Sequence, residues 1–208
     1  GLQAVTAALG AVKGVAAVAP VASGGLLAVK GDSTRSIIII GTELERYQRV
    51  VRLDDKLLQG ALRLDAGDAL IGMDLAKDLG AALGDRFPVQ AVDGRSEVFQ
   101  VRALLDMGSR ELNRRTVYSA LHPAQSLLNI TGRVTSLDMA IADAHVAGDD
   151  GAEHLLLEVA AHLFHHLVRQ ARPGVIHRKK NAPDLQVGVR AGLHPADFAD
   201  ELPVVALT

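Results

Sequence analysis

Apolar residues recur at three- and four-residue steps through Leu2, Val5, Leu9 and Val12, with Gly14 just beyond, and this spacing predicts an amphipathic helix at the start of the chain. The period then shortens. Val15 to Val18 and Gly25 to Val29 predict two strands, separated by Pro20 and the Gly24-Gly25 pair. Gly31-Asp32 marks a turn before Ser36 to Ile40, whose four consecutive isoleucines predict a strand covered on both faces. From Glu43 to Gly60, charged residues (Arg46, Arg49, Arg52, Asp54, Asp55, Lys56) alternate irregularly with Tyr47, Val50, Val51, Leu57 and Leu58, the pattern of a solvated connection made of helix and turn.

The stretch from Ala69 to Phe87 punctuates the middle of the chain. Ala69 to Ile71 predicts a buried strand and Gly72 a break, followed by a short helix with Leu75, Leu79 and Ala82 on one face. Asp74 is placed to cap that helix, and Gly80 and Gly84 to end it. A Gly84-Asp85 turn leads into a strand from Arg86. Phe87 to Val92 and Val98 to Ala103 flank Asp93-Gly94, a β-hairpin signal, because that dipeptide readily adopts the positive φ that tight hairpin turns need. Thr116 to Tyr118 is a further short strand. Pro123 opens a helix with Ala124, Leu127 and Leu128 inward and Gln125 and Asn129 outward, and Val134 to Ala142 alternates as a half-buried strand with Leu137, Met139 and Ile141 on its apolar face.

After Asp143 the composition changes. Seven of the eight histidines lie from His145 onward, and Gly148 to Gly151 forms a polar break. A strong helix is predicted from Ala152 to about Gln170, with Leu156, Val159, Leu163 and Leu167 on one face, and weak strands at Leu185 to Val189 and Val204 to Leu207.

Composition narrows the functional classes. The 208 residues carry a formal charge of −2, which argues against a generally basic nucleic-acid-binding surface, and no cysteine, which removes thiolate metal sites, disulfides and thiol catalysis. With no Trp and few aromatics, the core is filled by Ala, Val, Leu and Ile, and a ring-lined ligand pocket is not expected. The longest apolar runs fall well short of the ~20 residues that span a bilayer. Neither a signal peptide nor an anchor is read in the chain, which begins at Gly1 as a processed chain or excised fragment would.

Candidate chemistry is sparse. His154, Glu158, His162 and His166 follow one another at four-residue steps, so imidazoles and a carboxylate share a helix face as zinc or nickel ligands would; the same spacing is the polar side of an amphipathic helix. Arg110, Arg114 and Arg115, beside Asp106 and Glu111, read either as a partner-binding loop or as a solvated mixed-charge loop, and an exposed Met107 would add an adaptable apolar contact. The spacing of Gly72, Gly80 and Gly84 matches neither a dinucleotide fingerprint nor a Walker loop. Ser33, Ser109 and Ser119 lack a nucleophile-elbow context. Asp65, Asp68, Asp74 and Asp78 lack calcium-loop spacing and read as helix caps and surface carboxylates. Tyr47 and Tyr118 are too isolated among the aromatics to suggest a base-stacking platform for nucleic acid.

The order of these segments carries a resemblance. Val15 to Pro20, the strand from Ile37 to Gly41, ALIGMDLAKDLGAALGDRF at 69–87, the hairpin ending in Val101 to Leu104, Thr116 to Tyr118 and Ala124 to Leu128 together resemble the MacB-like periplasmic core domain over about 2–143. In ABC-transporter permeases, including the LolC/LolE and FtsX-related proteins, that domain is inserted between the first two membrane helices. The resemblance implies an α+β fold in which a membrane-side α/β subdomain carries an inserted, mostly β subdomain, placed here at about 60–120. It further implies a non-catalytic extracytoplasmic domain of an inner-membrane permease dimer that passes ATP-driven motion to an export substrate, a lipoprotein or a periplasmic partner. ATP would be hydrolysed by a separate subunit or domain, with no cofactor and no nucleic acid involved in this one. Within 144–208 the helix from Ala152 can continue the family pattern, whereas the Pro- and His-rich tail from Ala171 departs from it and is expected to be either divergent or the product of a shifted reading frame.

Overall fold

The computed structural model describes residues 2–11 and 15–141, together with two short strands of the tail, 186–187 and 205–206. The elements are α1 (Leu2–Gly10), β1 (Val15–Lys30), β2 (Ser33–Thr42), α2 (Leu44–Tyr47), a 3-10 turn (Asp54–Lys56), β3 (Leu57–Gly60), β4 (Asp68–Gly72), α3 (Met73–Leu79), β5 (Arg86–Gln90), β6 (Ser96–Leu105), α4 (Arg110–Arg115), β7 (Thr116–Ala120), α5 (Leu121–Leu127) and β8 (Ser136–Ile141). β9 (Gln186–Val187) and β10 (Val205–Ala206) pair antiparallel, at the two places where the tail pattern predicts strands. The predicted helix from Ala152 lies outside the described residues. The mixture of helices with a large mixed sheet is the α+β class expected.

The sheet follows the order β2-β7-β4-β6-β5-β1-β8, with β3 added on β6 and β1 also paired to β2. The β1–β2 pairing brings the path back on itself, so β1, β2, β7, β4, β6 and β5 form a ring. Its narrowest join is the two-residue β1–β5 ladder at Leu27↔Gln90 and Ala28↔Val89. β2–β7 and β4–β6 are parallel, and the other pairs are antiparallel. Strands inside 60–120 therefore hydrogen-bond to β1 and β2 outside it.

One face of the ring carries Ala22, Leu26, Ile37, Ile39, Ile71, Phe87, Phe99 and Val117, against which Leu75 and Leu79 of α3 and Ala124 and Leu127 of α5 pack. Gly41 allows the close approach of α5: a Cβ there would lie 2.1 Å from the Ala124 Cβ. The opposite face carries Ala19, Val21, Leu70, Ala103, Leu105 and Tyr118 and is covered by Tyr47 and Leu53. The 43–60 connection is thus anchored by fully buried residues rather than solvated throughout. Tyr47 and Tyr118 lie 5.7 Å apart between ring centroids and tilted by 54°, an aromatic pair inside the core. A third cluster joins Leu9 of α1 to Val18 of β1 and Leu137 and Met139 of β8.

Several local expectations change. Val15–Lys30 is one strand of 16 residues, not two. It pairs with β8 over Val15–Val21 and with β2 over Val21–Lys30. Pro20 sits one residue before the change of partner, and side-chain hydroxyls stitch the join. Thr42 Oγ1 donates to the Pro20 carbonyl (2.8 Å), and the Ser23 N–H donates to Thr135 Oγ1 (2.9 Å). Ile37 and Ile39 are buried, but Ile38 is 38% exposed, so the isoleucine run is covered on both faces only in part. Asp74 does not cap α3; the N-cap is Gly72, and Asp74 sits in the first turn, 3.5 Å from Lys77. Gly80 ends the helix in the left-handed conformation, leaving Ala82 beyond it and exposed. Gln125 faces inward, its Nε2 donating to the Arg133 carbonyl at 2.7 Å, which satisfies an amide that would otherwise be buried unpaired.

Asp68 is the largest departure from a surface role. It is 3% exposed, and its carboxylate accepts from Arg102 Nε (2.5 Å), Arg63 Nε (3.0 Å) and the backbone N–H of Asp65 (3.2 Å). Burial pushes its carboxyl up, but the hydrogen bonds from Arg102, Arg63 and Asp65 together outweigh this and hold it below the usual carboxylate value.

Candidate interaction site

The segment 106–115 links β6 to β7 and contains the predicted partner-binding residues. It is built from the chain's own polar groups. The Asp106 N–H donates to the Lys56 carbonyl (2.8 Å). Its carboxylate accepts from the Gly108 N–H (2.9 Å) and from Asn113 Nδ2 (3.0 Å). The Met107 N–H donates to Asn113 Oδ1 (2.6 Å), and Ser109 Oγ caps α4 by accepting from the Leu112 N–H (3.2 Å). These bonds, the Asn113 amide foremost, hold the Asp106 carboxyl below its ordinary value. Asn113 is buried, and its backbone lies directly over Gly72, where a Cβ would meet the Asn113 carbonyl oxygen at 2.2 Å. A loop of polar sequence is in this way locked to the β4–α3 junction.

On that base α4 displays its charges. Arg110, Arg114 and Arg115 are all exposed, and Leu112 is 48% exposed beside them. Arg114 Nε lies 3.6 Å from Asp78 of α3, a carboxylate shared with Arg35 of β2 at 3.9 Å, while Arg115 Nη1 lies 3.4 Å from Glu111. Arg110 has no ion-pair partner among the described residues. Met107 is half-buried against the Tyr47–Tyr118 cluster and does not stand out into solvent. The three arginines and Met107 are therefore gathered in one pre-organised segment, with the guanidinium groups outward and the thioether turned in.

His154, Glu158, His162 and His166 lie outside the described residues. Among the described residues no group of three or more His, Asp or Glu side chains is placed to hold a metal. No described helix is long and apolar enough to cross a membrane. The sequence pattern did not single out the Asp68–Arg63–Arg102 cluster. Its signal is an Asp opening an otherwise apolar strand, Asp68 to Ile71, and an Arg placed between Val101 and Ala103.

A ring of mixed strands packed on two helices, joined through one long strand to a helix and a strand from the two flanks of the described residues, is an architecture of the α+β class expected from the sequence. Solved structures share it. The extracellular domain of the noncanonic ABC-type transporter YknZ from Gram-positive bacteria superposes with a TM-score of 0.61 at 18% identity, over 80% of this chain and 83% of that one. The periplasmic region of MacB from Actinobacillus actinomycetemcomitans superposes with a TM-score of 0.53 at 18% identity, over 82% of this chain and 83% of that one. No protein-family model and no curated protein sequence matches the chain.

Proposed function

We propose that this chain is the extracytoplasmic domain of an ABC-transporter permease, which couples ATP-driven motion to export or lipoprotein release by engaging a substrate or an extracytoplasmic partner. The observation that carries this reading is the fold shared with the extracytoplasmic parts of YknZ and MacB. The physical task is transmission of rigid-body motion, for which no bond-making chemistry is needed. ATP hydrolysis belongs in this account to a separate subunit or domain reached through the membrane part of a dimeric permease, and the segment 106–115 is the candidate docking element for the extracytoplasmic partner.

The two-part organisation is part of the proposal. The α1–β8 layer, built from both flanks of the described chain, forms the membrane-side unit, and the strand ring forms the outer one. The separate cluster of Leu9, Val18, Leu137 and Met139 supports a boundary near Val21 and Thr135, which would make the outer unit wider than an insert of about 60–120. β1 belongs to both units, so a displacement of the first is carried to the second without a flexible joint.

Because the chain has no cysteine and Val92 at the hairpin tip is 97% exposed, Val92→Cys gives a clean location probe. In the full-length gene product, with any cysteines elsewhere removed, a membrane-impermeant maleimide should label this position in intact spheroplasts. Labelling only after lysis would place the domain on the cytoplasmic side and end the transport reading.

A further inference from the structure

Gly25 lies well inside β1, and its own fold does not require a glycine there. Its φ is not positive, and a Cβ would meet nothing within 4 Å, whereas at Gly24 a Cβ would strike Leu128 Cδ2 at 2.5 Å. Glycine weakens a strand interior, and in that setting it often marks a place that another chain or ligand approaches closely. The surface around it has the character of a contact. Alternation turns Gly25 and Leu27 of β1, and Ser36 and Ile38 of β2, away from buried Leu26, Ile37 and Ile39. All four are exposed. The outward positions along 25–29 and 34–38 carry no charge, because the charged residues of this ribbon, Lys30 and Arg35, turn to the other side and pair with Asp85 and Asp78.

The register makes this face complementary to itself. Gly25 pairs with Ile38, Leu27 with Ser36 and Val29 with Thr34, so every outward pair sets a larger apolar side chain beside a smaller residue. A half-turn about an axis parallel to the strands, midway between β1 and β2, exchanges the two columns. It lays Ile38 over the partner's Gly25, Leu27 over the partner's Ser36 and Val29 over the partner's Thr34, each protrusion into a hollow. We propose that the outward face of the β1–β2 ribbon binds a second copy of this chain in that arrangement, sheet face on sheet face. An uncharged face meets its own copy without repulsion and with no charge to desolvate. Two strands and three outward pairs cover roughly 250 Å² per copy, against ~800 Å² for a standard interface, so the contact is weak between free copies. Tethering two copies, as a dimeric permease does, supplies the effective concentration at which it forms. The pairing adds a contact to the transport reading and stands on the geometry of the ribbon alone.

The test is intermolecular paramagnetic broadening between two preparations of the 208-residue chain, which has no cysteine of its own. One is isotope-labelled; the other carries a nitroxide at Asp32→Cys, an exposed position in the turn at the end of the ribbon. At about 0.5 mM of each, where a millimolar contact is partly populated, the amides of Val29 and Thr34 should broaden most and the effect should fade towards Ser23 and Ile40. Gly25→Val, which fills the hollow while adding apolar surface, should cut the broadening about fivefold or more. Ile38→Lys should abolish it, and decides the matter if Gly25→Val does not fold. Absence of broadening, broadening strongest at the Ser23 and Ile40 end, or broadening that survives Gly25→Val or Ile38→Lys would each overturn the pairing. The measurement uses free chains, so its failure leaves the maleimide result standing, and labelling only after lysis would leave the pairing standing.

Discussion

Replacing Gly72 by alanine should destabilise the fold by about 3 kcal/mol, the upper end for an overpacked site. The added methyl would lie 2.2 Å from the Asn113 carbonyl oxygen and 2.7 Å from its carbonyl carbon and Cα. All three are backbone atoms, so no rotamer change relieves the contact and α4 must move as a body. Asn113 also holds Asp106 and the Met107 N–H, so the displacement should loosen the whole 106–115 segment. Urea unfolding followed by circular dichroism measures the first effect, and faster proteolysis near Arg110 and Arg114 reports the second. Gly67→Ala, where a methyl meets nothing within 4 Å, is the control and should stay within about 0.5 kcal/mol of the parent. Equal effects at the two positions would refute the close packing of α4.

Arg102→Met should cost about 3 kcal/mol at neutral pH, because it leaves a buried carboxylate with one guanidinium instead of two. Its signature is the pH dependence. In the parent the Asp68 carboxyl is held below its unfolded value, so the stabilisation is complete above the unfolded value and is lost as pH falls through the folded one. Without Arg102 the burial penalty weighs more, the folded value rises and acid unfolding moves to higher pH. Comparing acid-unfolding midpoints tests this directly. A midpoint that does not move, or moves to lower pH, would show that Asp68 does not depend on Arg102.

The features legible in the sequence are the ones set by neighbours along the chain. The strand-helix unit at Asp68–Leu79 declares itself by an apolar run, a glycine and helical spacing. The hairpin of β5 and β6 is marked by Asp93-Gly94, with Gly94 at φ 90°, and the pairing of Phe87 with Phe99 follows from it. The features set by distant partners were not legible. Pro20 and Gly24-Gly25 look like breaks until β8 and β2 are seen to take over from one another at Val21, with α5 seated against Gly24 and Gly41. Asp68 looks like a surface carboxylate because Arg102, 34 residues away, supplies its partner. Gln125 falls on the solvent side of a helical count, yet Arg133 presents the carbonyl that draws it inward. The 106–115 segment stands out in the sequence by its charges, while the Asp106–Asn113 frame that shapes it depends on side chains whose pairing the pattern of apolar positions does not encode.

Coupling in this account rests on β1 being one unbroken strand shared by the α1–β8 layer and the ring. The most direct measurement is the electron-spin distance between labels at Ala7→Cys on α1 and Val92→Cys at the hairpin tip, both exposed positions, in the 208-residue chain. A single narrow distance distribution is the predicted result. A broad or two-peaked distribution would show that the two units move independently and would contradict transmission through β1.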